Sequence, residues 1–113
     1  MITPYILMHY ELLEKINNTK DTDTLIPLCE LDVSIAEQFK EEWAVQFPKD
    51  IRLPRYPAFQ KLAIIYEKAG NYSEAISICK LAIELGFDLD GTKGGMKGRL
   101  SRLEKKLQSE MIP

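Results

Sequence analysis

The chain has one histidine, two cysteines and one tryptophan among its 113 residues, and these scarcities limit its chemistry. His9 cannot build a metal site by itself, and a Ser-His-Asp arrangement would have to form around that one ring. Cys29 and Cys79 lie far apart in the sequence. They form no CxxC pair and no disulfide framework, which points to a reducing, cytoplasmic setting and to cysteines that fill the core. No stretch approaches the roughly 18 uninterrupted apolar residues of a membrane span. The first thirteen residues have no basic lead-in and are broken by His9 and Glu11, so they read as neither signal peptide nor anchor. With 15 basic against 17 acidic side chains the formal charge is −2, and there is no overall attraction to a polyanion. The composition, 45% hydrophobic and 28% charged, is that of a folded soluble protein, and the length suits one domain.

The charge is unevenly placed. Residues 1–47 carry 3 basic and 9 acidic side chains, and residues 48–113 carry 12 basic and 8 acidic. Within 92–107 Lys93, Lys97, Arg99, Arg102, Lys105 and Lys106 stand against Glu104 alone. An acidic front and a basic back can attract each other within one fold, or the basic stretch can face a partner.

Helical periodicity dominates the chain. From Tyr5 to Ile16 a stripe of Tyr5, Met8, Leu12 and Ile16 recurs at helical spacing, with Pro4 in the first turn and Thr3 as its cap. Residues 17–24 are polar and read as a loop, and 25–33, containing Pro27, as a short helix. Ser34 and Glu37 have the spacing of a capping box, after which Ile35, Phe39, Trp43 and Phe47 recur every four residues. Three prolines between 48 and 57, with Arg52 and Arg55 among them, make a stiff connector.

Residues 57–69 place Phe59, Leu62, Ala63 and Tyr66 on one helix face, and Gly70 follows where a left-handed residue ends a helix at least steric cost. Asn71 and Glu74 then have the spacing of an N-cap and its reciprocal partner. A second helix follows with Tyr72, Ala75, Ile76, Cys79, Ala82 and Ile83 on its packed stripe, closed by Gly86. Two helices joined by so short a turn lie antiparallel, and Ala63, Ala75 and Ala82 let their backbones approach closely.

Phe59, Leu62, Ala63, Tyr66, Gly70, Tyr72, Ala75, Cys79 and Ala82 together resemble a tetratricopeptide repeat, whose period is about 34 residues. The resemblance spans residues 56–89. Phe59 stands where Trp is commonest, Ala63 where Gly is, and Phe87 where Pro is usual. Shifted one period earlier, the pattern fits at Leu25, Leu28 and Cys29 but fails at Asp32 and Glu41; one period later it is only half met. A single hairpin cannot bury both faces, so neighbours must complete it. Met96, Leu100, Leu103 and Leu107 form an amphipathic helix suited to capping it.

The glycine-rich stretch from Asp88 to Arg99 places Gly91, Gly94, Gly95 and Gly98 around Lys93 and Lys97, just ahead of that helix. It lacks the spacing of a phosphate-binding loop, no strand precedes it as a dinucleotide site requires, and Lys97 stands where a calcium loop needs Glu. It reads as a turn between helices. The alternative is an anion or nucleic-acid contact through Arg52, Arg55, Lys93, Lys97, Arg99, Arg102 and Lys106, the last three placed away from the leucine stripe.

The sequence therefore predicts an all-α fold of antiparallel helical hairpins in one domain. N-terminal helices and a connector occupy 1–55, the hairpin 56–89, and a glycine-rich turn with a basic capping helix 90–113. No catalytic centre, metal or cofactor is expected. The resemblance implies a module that docks a peptide or partner protein, with Gln60, Ile64, Glu67 and Lys68 of the first hairpin helix lining the groove and a second copy of the chain able to complete it.

Overall fold

The computed structural model describes residues 3–50 and 52–111. Among the described residues it is all-α, with helices α1 (Pro4–Asn17), α2 (Thr22–Ser34), α3 (Ala36–Gln46), α4 (Pro57–Lys68), α5 (Tyr72–Leu85) and α6 (Gly95–Met111) and no strand. The single domain expected from the length divides into two compact units, Met1–Pro54 and Arg55–Pro113.

In the first unit α1 packs against both α2 and α3. Its buried stripe is His9, Leu12 and Ile16, not the expected Met8, which is 38% exposed. The reason is a polar partner. Nδ1 of His9 lies 2.8 and 3.0 Å from the two carboxylate oxygens of Asp32 on α2, and both side chains are fully buried. A carboxylate acceptor places the ring proton on Nδ1. The His9 ring also meets Phe39 edge-on at 4.7 Å, and Phe39 stacks on Trp43 at 5.6 Å. Burying Phe39, Leu12 and Ile16 contributes about 2 kcal/mol each.

Other expectations in this unit also need correction. The chain turns helical at Thr22, inside the predicted loop, because Asp21 caps it: its carboxylate accepts from the amide (3.0 Å) and hydroxyl (2.6 Å) of Thr24. Pro27 therefore sits within α2. The Ser34–Glu37 capping box does not form. α2 runs through Ser34, whose hydroxyl donates back to the Leu31 carbonyl at 2.5 Å, and Ile35 alone separates α2 from α3.

In the second unit α5 packs against both α4 and α6. Gly70, at φ +78°, ends α4 in a Schellman turn: the amide of Asn71 donates to the Tyr66 carbonyl (2.8 Å) and that of Gly70 to Glu67 (3.0 Å). Asn71 caps α5 without the expected side-chain hydrogen bond. Gly86, at φ +90°, closes α5 in the same way, and the amide of Phe87 donates to Ala82 at 2.8 Å. Phe87 is then carried onto the start of α4, where its ring lies 4.9 Å from Tyr56 and 5.7 Å from Phe59. This triad ties the beginning of α4 to the end of α5. Ala63, Ala75, Cys79 and Ala82 are fully buried, which fits the close approach expected of the hairpin. On α6 Met96 and Leu103 are buried and Leu100 and Leu107 half-buried, so this helix covers α5 on its second side.

Candidate functional site

The side chains that can meet a partner are those left over once the second unit has packed. On α4 the buried residues are Ala58, Phe59, Leu62 and Ala63. Gln60, Ile64 and Glu67 occupy the opposite arc of the helix, half-buried, and Lys68 is exposed at its end. Glu67 accepts a hydrogen bond from the Lys106 ammonium of α6, an ion pair that bridges the two outer helices. A residue expected in the groove thus binds one expected on an anion surface. The Glu67 hydrogen bond and charge raise the Lys106 pKa.

Behind this pair lies Cys79 of α5. It is fully buried, and burial pushes its thiol up to about 11, with Arg99, Asp90, Glu67 and Arg102 as the charges that act on it. A thiol held so far from its thiolate is a packing group, not a nucleophile.

The glycine-rich stretch is an organised turn. Asp88 supplies the cap of α6: its carbonyl accepts from Met96 N at 2.7 Å and its Oδ1 from Lys97 N at 3.0 Å. Gly95 N donates to the Thr92 carbonyl (3.1 Å) and Gly98 N to Gly94 (3.0 Å). The first four amides of the helix are therefore occupied, and the cradle that an anion would use is filled by the chain's own Asp88. Asp90 closes the rest. Its Oδ1 accepts from the amide of Thr92 at 2.9 Å and from the Thr92 hydroxyl, and its Oδ2 from Arg99 Nε at 3.0 Å. Burial works to raise the Asp90 pKa, but these donors and the Arg99 charge outweigh it and hold the carboxyl below its ordinary 3.8. Gly95, at φ +60°, is required: a Cβ there would stand 2.5 Å from the Asp88 carbonyl oxygen.

The seven basic candidates separate accordingly. Arg99, expected on the solvent side of α6, is 7% exposed because Asp90 draws it inward. Lys106 is engaged by Glu67. Arg52 is exposed but belongs to the first unit. The structure brings together Arg55, Lys93, Lys97 and Arg102 around the turn. The Arg55 guanidinium lies against Gly91, with Nη1 2.8 Å from where a Cβ would be, and Nη1 of Arg102 is 3.3 Å from the corresponding point on Gly98. All four are exposed, and none forms an ion pair among the described residues.

Sequence reasoning missed the capping role of Asp88, seven residues before the helix it caps. The Asp90-Gly91-Thr92 turn carried a legible signal, an Asx-type turn residue followed by Gly. No group of His, Cys, Asp and Glu among the described residues could hold a metal ion, and no helix among them is long and apolar enough to cross a membrane. No protein-family model matches the chain, and neither does any curated protein or solved structure.

Proposed function

We propose that the second unit is a non-catalytic docking module for a protein or peptide partner, with α4 as the contacting helix. The observation that supports this most is the division of α4. Ala58, Phe59, Leu62 and Ala63 are used in packing, while Gln60, Ile64 and Glu67 remain as a half-buried strip of mixed apolar and polar character, with Glu67 paired to Lys106 of α6. Such a strip, on a helix held rigid by α5 and by the Tyr56–Phe59–Phe87 triad, presents contacts at low ordering cost. It also agrees with the tetratricopeptide resemblance of residues 56–89, in which the first hairpin helix faces the partner.

A nucleic-acid or phosphate role for the basic turn is the second reading. It keeps Arg55, Lys93, Lys97 and Arg102, but the α6 amides that would cradle a phosphate are already bonded to Asp88 and its neighbours.

The test is affinity capture from native extract with the wild-type chain and with Ile64→Arg and Gln60→Glu variants whose helical circular dichroism is unchanged. A stoichiometric protein captured by the wild type and lost with Ile64→Arg supports docking on α4. Capture that is indifferent to both substitutions, or recovery of nucleic acid alone at low salt, contradicts it.

A further inference from the structure

We infer that the partner presents an acidic segment, rich in Asp and Glu, to the turn between α5 and α6, where Arg55, Lys93, Lys97 and Arg102 receive it. This rests on the docking reading above and supplies the chemistry of the partner.

The inference comes from where the turn's own carboxylates go. Asp90 and Asp88 are the acidic residues nearest Lys93 in the sequence, and a simple count would let them neutralise Lys93 and Lys97. Both are spent inside the turn. Asp88 caps α6 through the amide of Lys97, and Asp90 is 8% exposed and bound to Thr92 and Arg99. The four remaining cations are exposed and make no ion pair among the described residues. Positive charge is thus gathered around the turn and the first two turns of α6, while the carboxylates of Asp88 and Asp90 are engaged by the chain's own donors. Gly91 and Gly94 are exposed in the loop, and the Arg55 guanidinium lies against Gly91 and that of Arg102 beside Gly98 of α6, so two guanidinium groups are held next to the turn backbone.

The charge of the whole chain selects a short acidic peptide over a nucleic acid. The formal charge is −2, and residues 1–54 carry 5 basic against 10 acidic side chains, which disfavours a long polyanion. The aromatic residues of the second unit are buried (Tyr56, Phe59, Phe87) or half-buried (Tyr66, Tyr72), so they offer no platform on which bases could stack beside the lysines.

The experiment uses the full chain and a fluorescein-labelled Asp/Glu peptide of about eight residues, which spans the turn at roughly 3.3 Å per residue. The Asn/Gln counterpart and a single-stranded oligothymidylate of equal charge are measured beside it by anisotropy. Saturable binding of the acidic peptide is expected. It should weaken at least tenfold in a Lys93→Glu/Lys97→Glu variant and by a smaller factor in Lys93→Gln/Lys97→Gln, which guards against loss of fold. Tighter binding of the oligonucleotide, equal binding of the Asn/Gln peptide, binding unchanged by the charge reversal, or no saturable binding overturns the inference. A captured partner that needs Ile64 but tolerates the charge reversal overturns it too, and leaves the α4 docking face standing. Acidic-peptide binding with no Ile64-dependent partner does the reverse.

Discussion

Glu42 of α3 caps Tyr5 of α1: its Oε1 accepts the backbone amide of Tyr5 at 2.9 Å and that of Ile6 at 3.0 Å. Thr3, the expected cap, makes no side-chain hydrogen bond there. One carboxylate on a neighbouring helix thus satisfies two orphan amides and sets its charge against the positive end of the α1 dipole. Glu42→Ala is expected to cost about 1–2 kcal/mol and Glu42→Gln less, since an amide oxygen still accepts. Urea unfolding followed by circular dichroism measures both, and equal stability of all three chains would contradict the cap.

The His9–Asp32 pair is the polar centre of the first unit. Removing one member leaves the other buried with part of its hydrogen bonding gone, which costs about 3 kcal/mol. Asp32→Ala should therefore lower the urea midpoint far more than substitution of the exposed Glu30, two residues away on the same helix. Comparable midpoints would show the pair to be dispensable.

Asp90 makes the second unit sensitive to acid. Its folded pKa lies below the ordinary 3.8, so its contribution is fully present above that value and is lost as pH falls through the folded pKa. Unfolding midpoints of the wild type should decline from about pH 4 downward. In Asp90→Asn the loss is already taken at neutral pH, and the decline should be shallower. Parallel pH profiles would refute the assignment.

Gly95 and Gly70 both have positive φ but differ in surroundings. A Cβ at Gly70 meets nothing within 4 Å, whereas one at Gly95 meets the Asp88 carbonyl oxygen at 2.5 Å. Gly70→Ala is expected to cost about 1 kcal/mol for the backbone alone, and Gly95→Ala clearly more, with disruption of the α6 start visible in amide hydrogen exchange. The reverse order would mean the turn is not held as described.

Cys79 should be inert. With a thiol pKa of about 11 and full burial, it should resist a disulfide reagent at pH 8 in the native chain and react on addition of urea. Rapid native labelling at this position would place Cys79 at the surface.

The helices and their glycine stops were legible because they depend on local periodicity and on backbone conformations that neighbouring residues dictate. Leu62, Ala63, Ala75 and Ala82 could be assigned to a packed hairpin from spacing alone, and Gly70 and Gly86 to its ends. What escaped depends on partners distant in sequence. Met8 and His9 are both one step from a helical stripe, and only Asp32 on another helix decides that His9 turns inward. Arg99 reads as a solvent-facing cation until Asp90 is folded beside it. Capping was misread for the same reason: Ser34 and Asn71 had the right spacing, but Ser34 continued its own helix, and α1 and α6 were capped by Glu42 and Asp88 from a distance. Of the proposed site, the α4 strip and the four exposed cations were visible in the sequence. The sorting of paired cations from unpaired ones was not.

Photo-crosslinking from α4 tests the docking claim most directly. A benzoylphenylalanine replacing Ile64 should crosslink in cells to one partner protein, and the same group replacing Lys80, exposed on α5, should not. Equal crosslinking from both positions, or none from position 64, would contradict a docking face on α4.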